Sequence, residues 1–216
     1  MSDATPDSLK EKNIPLLSVY TLVHGTALAW MVQGGPHWSS TVSSLGALEW
    51  GKAAGSLVVV VVVLLMNGLA GSQTKATIVF WRRKDPLPST RFSNLLGADP
   101  RIDVSRLTDR LGGKLPASSG EQGKVWYKIY RKYEANPSVR ANHKEYLLYR
   151  DLAWMALFLA IFGTMLLIAI TRPAVTWLLG YFLASVGLYF LFASAAVRAA
   201  ERLVLTVLAC ESASEA

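Results

Sequence analysis

An unbroken run of ten apolar side chains, residues 57–66, is the feature that most restricts the fold of this chain. The wider window 53–71 contains no charged residue, and as a helix it would span about 28 Å at 1.5 Å per residue. That length is close to the roughly 30 Å hydrocarbon core of a bilayer. Consecutive valines also suit a buried strand, but 19 uncharged positions exceed the usual length of a strand in a soluble sheet. The run therefore predicts a transmembrane helix.

Three further uncharged stretches predict additional spans, at residues 14–33, 152–171 and 174–197. The first of them contains several hydroxyl groups and His24, so we expect that it does not face lipid on all sides. The chain is 52% hydrophobic with a mean hydropathy of +0.31, an apolar excess that membrane spans explain. We predict an all-α integral membrane protein with four transmembrane helices and a small helical cytosolic module between the second and third spans.

A secretory signal peptide is the alternative interpretation of the N-terminus. Lys10 and Lys12 could form its basic region, and Ala27 and Ala29 match the small residues of a cleavage site. Polar residues such as His24 interrupt the apolar part of the segment, and this interruption favours a retained span.

The distribution of basic residues predicts the orientation in the membrane. Residues 82–150 carry 15 Lys and Arg against 7 Asp and Glu, whereas the link 34–52 has a single lysine at its end. By the positive-inside rule the central segment and both termini are cytoplasmic, and the two short links are outside. Arg82, Arg83 and Lys84 directly follow the second span and strengthen this orientation. We expect a multi-pass protein of a bacterial inner membrane.

The predicted organisation follows the order of the chain. Its parts are a cytosolic tail (1–13), the first span (14–33), an extracytoplasmic link (34–52), the second span (53–71), a basic helical module with extensions of the adjoining spans (72–151), the third span (152–171), a tight turn (172–173), the fourth span (174–197) and a cytosolic amphipathic helix with its tail (198–216).

Helix boundaries within the module are indicated by capping patterns. Asp99 before Pro100 predicts the start of one helix, and Ser118 with Glu121 has the spacing of a capping box at the start of another. The glycine pair 112–113 should end the first of these helices. Asn136 before a proline predicts a third helix, which shows no stop signal before residue 170 and would be about 51 Å long.

Two neighbouring stripes on the predicted helix after residue 118 are the candidate binding surface. One stripe is aromatic and the other basic, and their members are Trp126, Tyr130 and Tyr133, and Lys124, Lys128 and Arg131. The aromatic stripe fits the core of the module, with the cations in solvent. The same pattern also fits docking onto anionic lipid headgroups, or binding of a nucleotide or nucleic acid by stacking and phosphate contacts.

Catalytic and metal-binding patterns are weak in this sequence. His143 and Glu145 lie two residues apart, so on a helix they point about 200° from each other and do not share one ion. Asp99 and Asp103 could share a face, but Asp99 is better explained as a cap. No phosphate-binding loop, dinucleotide turn or zinc-protease motif occurs. We expect no cofactor and no metal, and we favour a protein that is not an enzyme.

Polar and small residues in the spans bear on transport and assembly. His24 and Asn67 are candidate intramembrane polar sites, and each is interpreted first as a hydrogen-bonding residue between helices. Gly51 and Gly55 have the spacing that allows close helix packing, so we expect a homo-oligomer. Beyond the fourth span, residues 197–209 continue a helical pattern with one apolar side, which could lie along the membrane or pack on a neighbour. Cys210 is the single cysteine, so no intrachain disulfide forms.

These patterns favour a membrane effector or signalling subunit whose cytosolic module senses or recruits a ligand or protein partner and transmits the event to the spans. One alternative is a homo-oligomeric channel or small transporter with a path near His24 and Asn67. A second alternative is a membrane-bound enzyme that acts on lipid headgroups through His143, Glu145 and the basic stripe.

Overall fold

A computed structural model describes residues 6–32, 50–171 and 175–214 of the chain. These residues are all-helical, and no strand occurs among them. The α-helices, in chain order, are α1 (Pro6–Glu11), α2 (Ile14–Val32), α3 (Trp50–Leu69), α4 (Ser72–Phe80), α5 (Val104–Arg110), α6 (Ser119–Tyr133), α7 (Pro137–Phe158), α8 (Thr164–Thr171) and α9 (Val175–Ala213). Short 3₁₀ helices cover Pro88–Asn94 and Leu96–Ala98, and a π-helical turn covers Leu159–Gly163.

Three helical segments among the described residues are long and apolar enough to cross a membrane. They are Leu9–Met31, Pro137–Ala169 and Val175–Ala213, of 23, 33 and 39 residues. The structure is therefore that of a helical protein with multi-pass character. Helix α3 covers most of the second predicted span, and its membrane crossing stays a prediction. The predicted turn 172–173 and most of the predicted link 34–52 lie outside the described residues.

The chain divides into two compact units. The first, which we call the module unit, combines residues 1–12, 72–150 and 193–216. The second, which we call the span unit, combines residues 13–71 and 151–192. Helices α7 and α9 each contribute residues to both units, because neither helix ends at the division.

The core of the module unit is built from short elements and the C-terminal half of α9. Its buried members are Phe92, Leu96, Ile102, Leu107, Ile129, Tyr130, Val139, Leu203, Val204, Val207 and Leu208. The apolar side that the sequence shows after residue 197 therefore packs within its own chain, against the module. Burying an apolar side chain of this kind contributes about 1.5–3 kcal/mol to the free energy of folding. This burial stabilises the module unit, in which several elements are short.

Local signals locate most helix starts in the module unit. The hydroxyl of Ser118 accepts from the backbone N–H of Glu121, and the Glu121 carboxylate accepts from the Ser118 backbone, so the predicted capping box is confirmed. Asn136 accepts from the backbone N–H of Ser138, and α7 begins at Pro137 as predicted. The glycines that follow α5 have φ of 87° and 82°, a left-handed conformation that residues with a Cβ rarely adopt.

The predicted start of the helix at Asp99 is wrong. Helix α5 begins at Val104 instead, with Asp103 as the cap that accepts from the backbone N–H of Arg106 at 3.0 Å. The carboxylate of Asp99 binds the guanidinium of Arg101, at 2.6 Å for the shortest contact. An ion pair with a residue two positions away holds the chain in a turn, so this aspartate is no longer available as a cap.

The predicted long helix from residue 137 is helical to residue 171 but is not a uniform α-helix. Its α-helical geometry changes at Leu159–Gly163 to a π-helical turn and resumes in α8. Helix α3 ends at Leu69 and α4 begins at Ser72, and Gly71 lies in the break between them.

Candidate functional site

The two predicted stripes of α6 face different surroundings. Tyr130 is buried in the module core, and Trp126 and Tyr133 pack against that core in partly buried positions. The basic members, Lys124, Lys128 and Arg131, are exposed. Arg131 lies 2.8 Å from Glu134 one turn later. The aromatic stripe thus has the position expected of core packing, while ligand binding by the basic stripe stays a prediction.

A cavity of about 190 Å³ lies in the module unit against the aromatic side of α6. Five aromatic or imidazole rings line it, and they belong to Trp126, Tyr127, Tyr130, His143 and Tyr146. The remaining wall is apolar and comes from the segment 87–89 and from α9, through Ala200, Leu203 and Val204. We call this cavity the aromatic pocket.

Ring contacts and hydrogen bonds hold the walls of the aromatic pocket in place. The rings of Trp126 and Tyr130 stack with centroids 5.3 Å apart, and Tyr127 stacks on Tyr130 at 6.3 Å. The indole N–H of Trp126 donates to the carbonyl oxygen of Val204 at 3.4 Å. Because Tyr127 is 57% exposed, its ring forms an accessible rim rather than part of the core.

His143 supplies a neutral polar group to this pocket. Its Nδ1 lies 2.8 Å from the hydroxyl of Tyr130. Burial, together with the nearby positive charge of Arg150, lowers the pKa of His143 to about 4, and burial raises the pKa of Tyr130. Both groups are therefore uncharged at neutral pH. The direction of this hydrogen bond depends on the tautomer of the imidazole: the hydroxyl donates when the ring proton is on Nε2, and Nδ1 donates when it carries the proton.

Positive charge accumulates elsewhere in the module unit. The guanidinium of Arg150 lies 5.7 Å from the centroid of the Tyr146 ring, which lines the aromatic pocket. Burial and the neighbouring charge of Arg82 lower the pKa of Arg91, and Glu201 opposes this shift. One guanidinium nitrogen of Arg91 is buried without a hydrogen-bond partner. An unpaired cationic hydrogen-bond donor such as this nitrogen of Arg91 favours an anionic ligand or partner.

The C-terminal part of α9 is fastened to the module unit by polar contacts. Arg106 donates to the backbone carbonyl oxygen of Ser214 at 3.0 Å, and Arg110 donates to the same oxygen and to the Ser214 hydroxyl. Lys132 lies 3.0 Å from Glu211. Cations at the C-terminal end of a helix also interact favourably with its dipole. These contacts fix the C-terminal end of α9, the helix that also contributes one wall of the aromatic pocket.

The residues considered for acid–base chemistry have separate partners. His143 contacts Tyr130, whereas the carboxylate of Glu145 lies 2.8 Å from Arg202. Asp99 is paired with Arg101, and Asp103 caps α5. Among the described residues, no group of three or more His, Cys, Asp or Glu side chains could hold a metal ion.

The intramembrane candidates lie in the span unit. His24 and Asn67 are each 9% exposed. The imidazole of His24 is 4.6 Å from the ring of Tyr20 and 6.1 Å from that of Tyr181, measured between centroids. Asn67 is absent from the residues that line the cavity beside His24, so the structure does not bring the two candidates to one cavity.

Sequence reasoning missed several residues of the aromatic pocket. Tyr127 and Tyr146 fall outside the predicted stripes, and the wall from Leu203 and Val204 is at least 70 positions away from α6 in the chain. The apolar side after residue 197 was a visible signal, but a sequence pattern does not name its partner. No protein-family profile, curated protein or solved structure matches this chain.

Proposed function

We propose that this chain is a non-enzymatic, four-span membrane protein whose cytosolic module binds a ligand or protein partner and transmits binding to the spans. The observation that carries the proposal is the aromatic pocket, because one of its walls belongs to α9. That helix is uninterrupted over 39 residues and contains the sequence of the fourth predicted span. A ligand that displaces this wall would act on a continuous helix, and rigid helices transmit displacement.

The chemistry of the module unit favours a ligand whose apolar or aromatic part enters the pocket and whose anionic part stays outside it. Aromatic and apolar side chains line the cavity without any charged residue, and Arg91 and Arg150 supply positive charge elsewhere in the same unit. A nucleotide and an anionic phospholipid both combine these features. In a membrane effector or signalling subunit, either ligand would report a cellular event at the cytoplasmic surface of a bacterial inner membrane.

Hydrogen exchange of the full-length protein in nanodiscs tests this function. We expect that added ATP, or phosphatidylglycerol in the disc, slows exchange at residues 119–133 and also alters it at residues 175–192. Tyr127→Ala should abolish the response, because this half-exposed ring can be removed without opening the core. Tyr149→Ala is the matched control, since Tyr149 does not line the aromatic pocket. Helix α7 also contributes residues to both units. Exchange of residues 137–150 at the rate of an unstructured chain would therefore contradict coupling through this helix.

A homo-oligomeric channel or small transporter is the second candidate. It is favoured by polar atoms in the span unit that are buried without a hydrogen-bond partner, including Nδ1 of His24 and the hydroxyl of Tyr20. Unsatisfied polar groups within a bilayer cost free energy, and ionisable groups retained there by default indicate a functional site. This candidate predicts that His24→Ala abolishes flux in liposomes and leaves assembly intact, as measured by ion-flux assays and mass photometry.

A further inference from the structure

A second cavity, of about 290 Å³, lies in the span unit between residues of α2 and α9. We call it the span pocket. Its walls include His24 and Met31 from α2, and Trp177, Tyr181 and Ser185 from α9. The volume approaches the roughly 300 Å³ at which cavities begin to accept small organic molecules, and it far exceeds the space that one water molecule needs.

Three polar side chains in the walls of the span pocket are almost fully buried. His24 is 9% exposed, Tyr181 is 6% exposed and Ser185 is 1% exposed. Nδ1 of the imidazole has no hydrogen-bond partner, and the hydroxyls of Tyr181 and Ser185, one turn apart on α9, have no partner beyond each other. A buried polar atom without a partner costs about 1–3 kcal/mol, and hydrocarbon surroundings offer no water in compensation. One unpartnered imidazole nitrogen and two hydroxyls with no other partner, all around one cavity, favour a bound molecule that supplies further hydrogen bonds.

The hydroxyl of Tyr181 lies close to Gly163, the last residue of the π-helical turn. A Cβ atom at Gly163 would lie 2.7 Å from this hydroxyl oxygen, so a larger residue at that position would force the tyrosine or the backbone to shift. Single π-helical turns are rare and occur frequently at functional sites. The phenol of Tyr181 therefore packs closely against the backbone at Gly163 within the span unit.

The lining of the span pocket defines the chemistry of the ligand. It contains no Lys, Arg, Asp or Glu, so it provides no counter-ion and selects an uncharged molecule. The side chains of Trp177, Tyr181 and His24 provide flat aromatic surfaces that suit a ring. Hydroxyl groups donate readily to carbonyl oxygens. Apolar helices surround the pocket, so its ligand reaches it through the lipid phase.

We propose that the span pocket binds a neutral, lipid-soluble ring compound with carbonyl acceptors, of the benzoquinone class. The ring would lie among Trp177, Tyr181 and His24, and its carbonyl oxygens would accept hydrogen bonds from the hydroxyls of Tyr181 and Ser185. This site is separate from the aromatic pocket and does not depend on the function proposed above.

The full-length protein in phosphatidylcholine nanodiscs provides the test, with a photoreactive decyl-benzoquinone as the probe. We expect cross-links on α2 or on residues 175–192 of α9, and we expect excess unlabelled decyl-benzoquinone to suppress them. Tyr181→Phe should weaken binding about tenfold, because it removes one hydrogen bond to a carbonyl and retains the ring. Ser185→Ala should weaken it in the same direction, and the double variant should weaken it further.

Tyr189→Phe is the matched control, because it removes the same atom from a tyrosine of α9 that does not line the span pocket. Its affinity should equal that of the unchanged protein. Labelling outside α2 and α9, or equal affinity for Tyr181→Phe, would overturn the assignment. A tightly bound phospholipid in native mass spectra that decyl-benzoquinone fails to displace would also overturn it, since an ester carbonyl would then be the acceptor. Thermal unfolding of each variant checks that a loss of binding does not arise from misfolding.

Discussion

At the scale of single residues, environment decides the roles that sequence leaves open. His143 is a candidate acid–base group in the sequence, but the structure pairs it with Tyr130 in a partly buried position. The sequence favours His24 as a hydrogen-bonding residue between helices, yet its Nδ1 has no hydrogen-bond partner. His24 follows an apolar stretch and His143 lies among polar and charged residues, but neither pattern shows which atoms the imidazole contacts in the fold. Tertiary contacts from distant helices make the difference.

The depressed pKa of His143 predicts a pH dependence of stability. The folded protein binds the proton only near pH 4, whereas an unfolded chain binds it near pH 6.5. Between these values the unfolded state binds more protons, so stability falls as the pH drops from about 6.5 towards 4. The loss should reach about 2–3 kcal/mol. Thermal unfolding in detergent at several pH values measures it, and we expect His143→Gln to flatten this part of the profile. An unchanged profile in that variant would contradict the assignment.

At the scale of elements, capping and close packing determine where helices begin and how they meet. The capping box of α6 and the proline start of α7 follow from a few neighbouring residues, and sequence reasoning located both. The start of α5 was misplaced because two aspartates competed for the cap, and the ion pair of Asp99 with Arg101 decided in favour of Asp103. The π-helical turn had no recognised sequence signal.

Ser118→Ala should loosen the start of α6. The substitution removes the hydroxyl that accepts from the backbone of Glu121, and the loss of a helix cap costs about 1 kcal/mol. Hydrogen exchange of residues 119–123 should accelerate about fivefold, with little change at residues 129–133. Ser105→Ala is the control, because that serine is exposed and is not the cap of its helix. Equal acceleration in the control would show that the cap has no special role.

Gly163→Ala should destabilise the span unit by about 1–3 kcal/mol, since the added methyl group meets the hydroxyl of Tyr181 at 2.7 Å. Combining it with Tyr181→Phe should recover part of the loss, because the nearest atom is removed. Gly187→Ala is the matched control, as an added Cβ at that position meets no atom within 4 Å. Thermal unfolding midpoints of the four proteins give the coupling between residues 163 and 181. Strictly additive effects would argue against the contact.

At the scale of the whole molecule, the two compact units share two long helices, α7 and α9. The chain returns to the module unit after the fourth predicted span, so the C-terminal residues complete a core that begins more than 100 positions earlier. The segment after residue 197, for which the sequence allowed contact with the membrane or with a neighbouring subunit, contributes buried residues to the core of the module unit.

Cysteine labelling in intact cells tests the four-span topology. In a Cys210→Ala background, Lys124→Cys should react with a membrane-impermeant maleimide only after the cells are opened. Ser43→Cys, in the predicted external link, should react before opening. The excess of basic residues in the central segment is the reason for this orientation. The reverse accessibility would contradict it, and external labelling at both positions would exclude a cytosolic module.

The sequence by itself determined the helical class, three long apolar segments and most helix starts in the module, because these depend on hydrophobic runs and on contacts within one turn. Only the tertiary structure decided which aromatic residues surround the aromatic pocket, which partner the last helix packs on and which polar atoms meet at the span pocket. Those features join residues far apart in the chain. Their positions depend on how helices pack, and local propensity does not encode that packing.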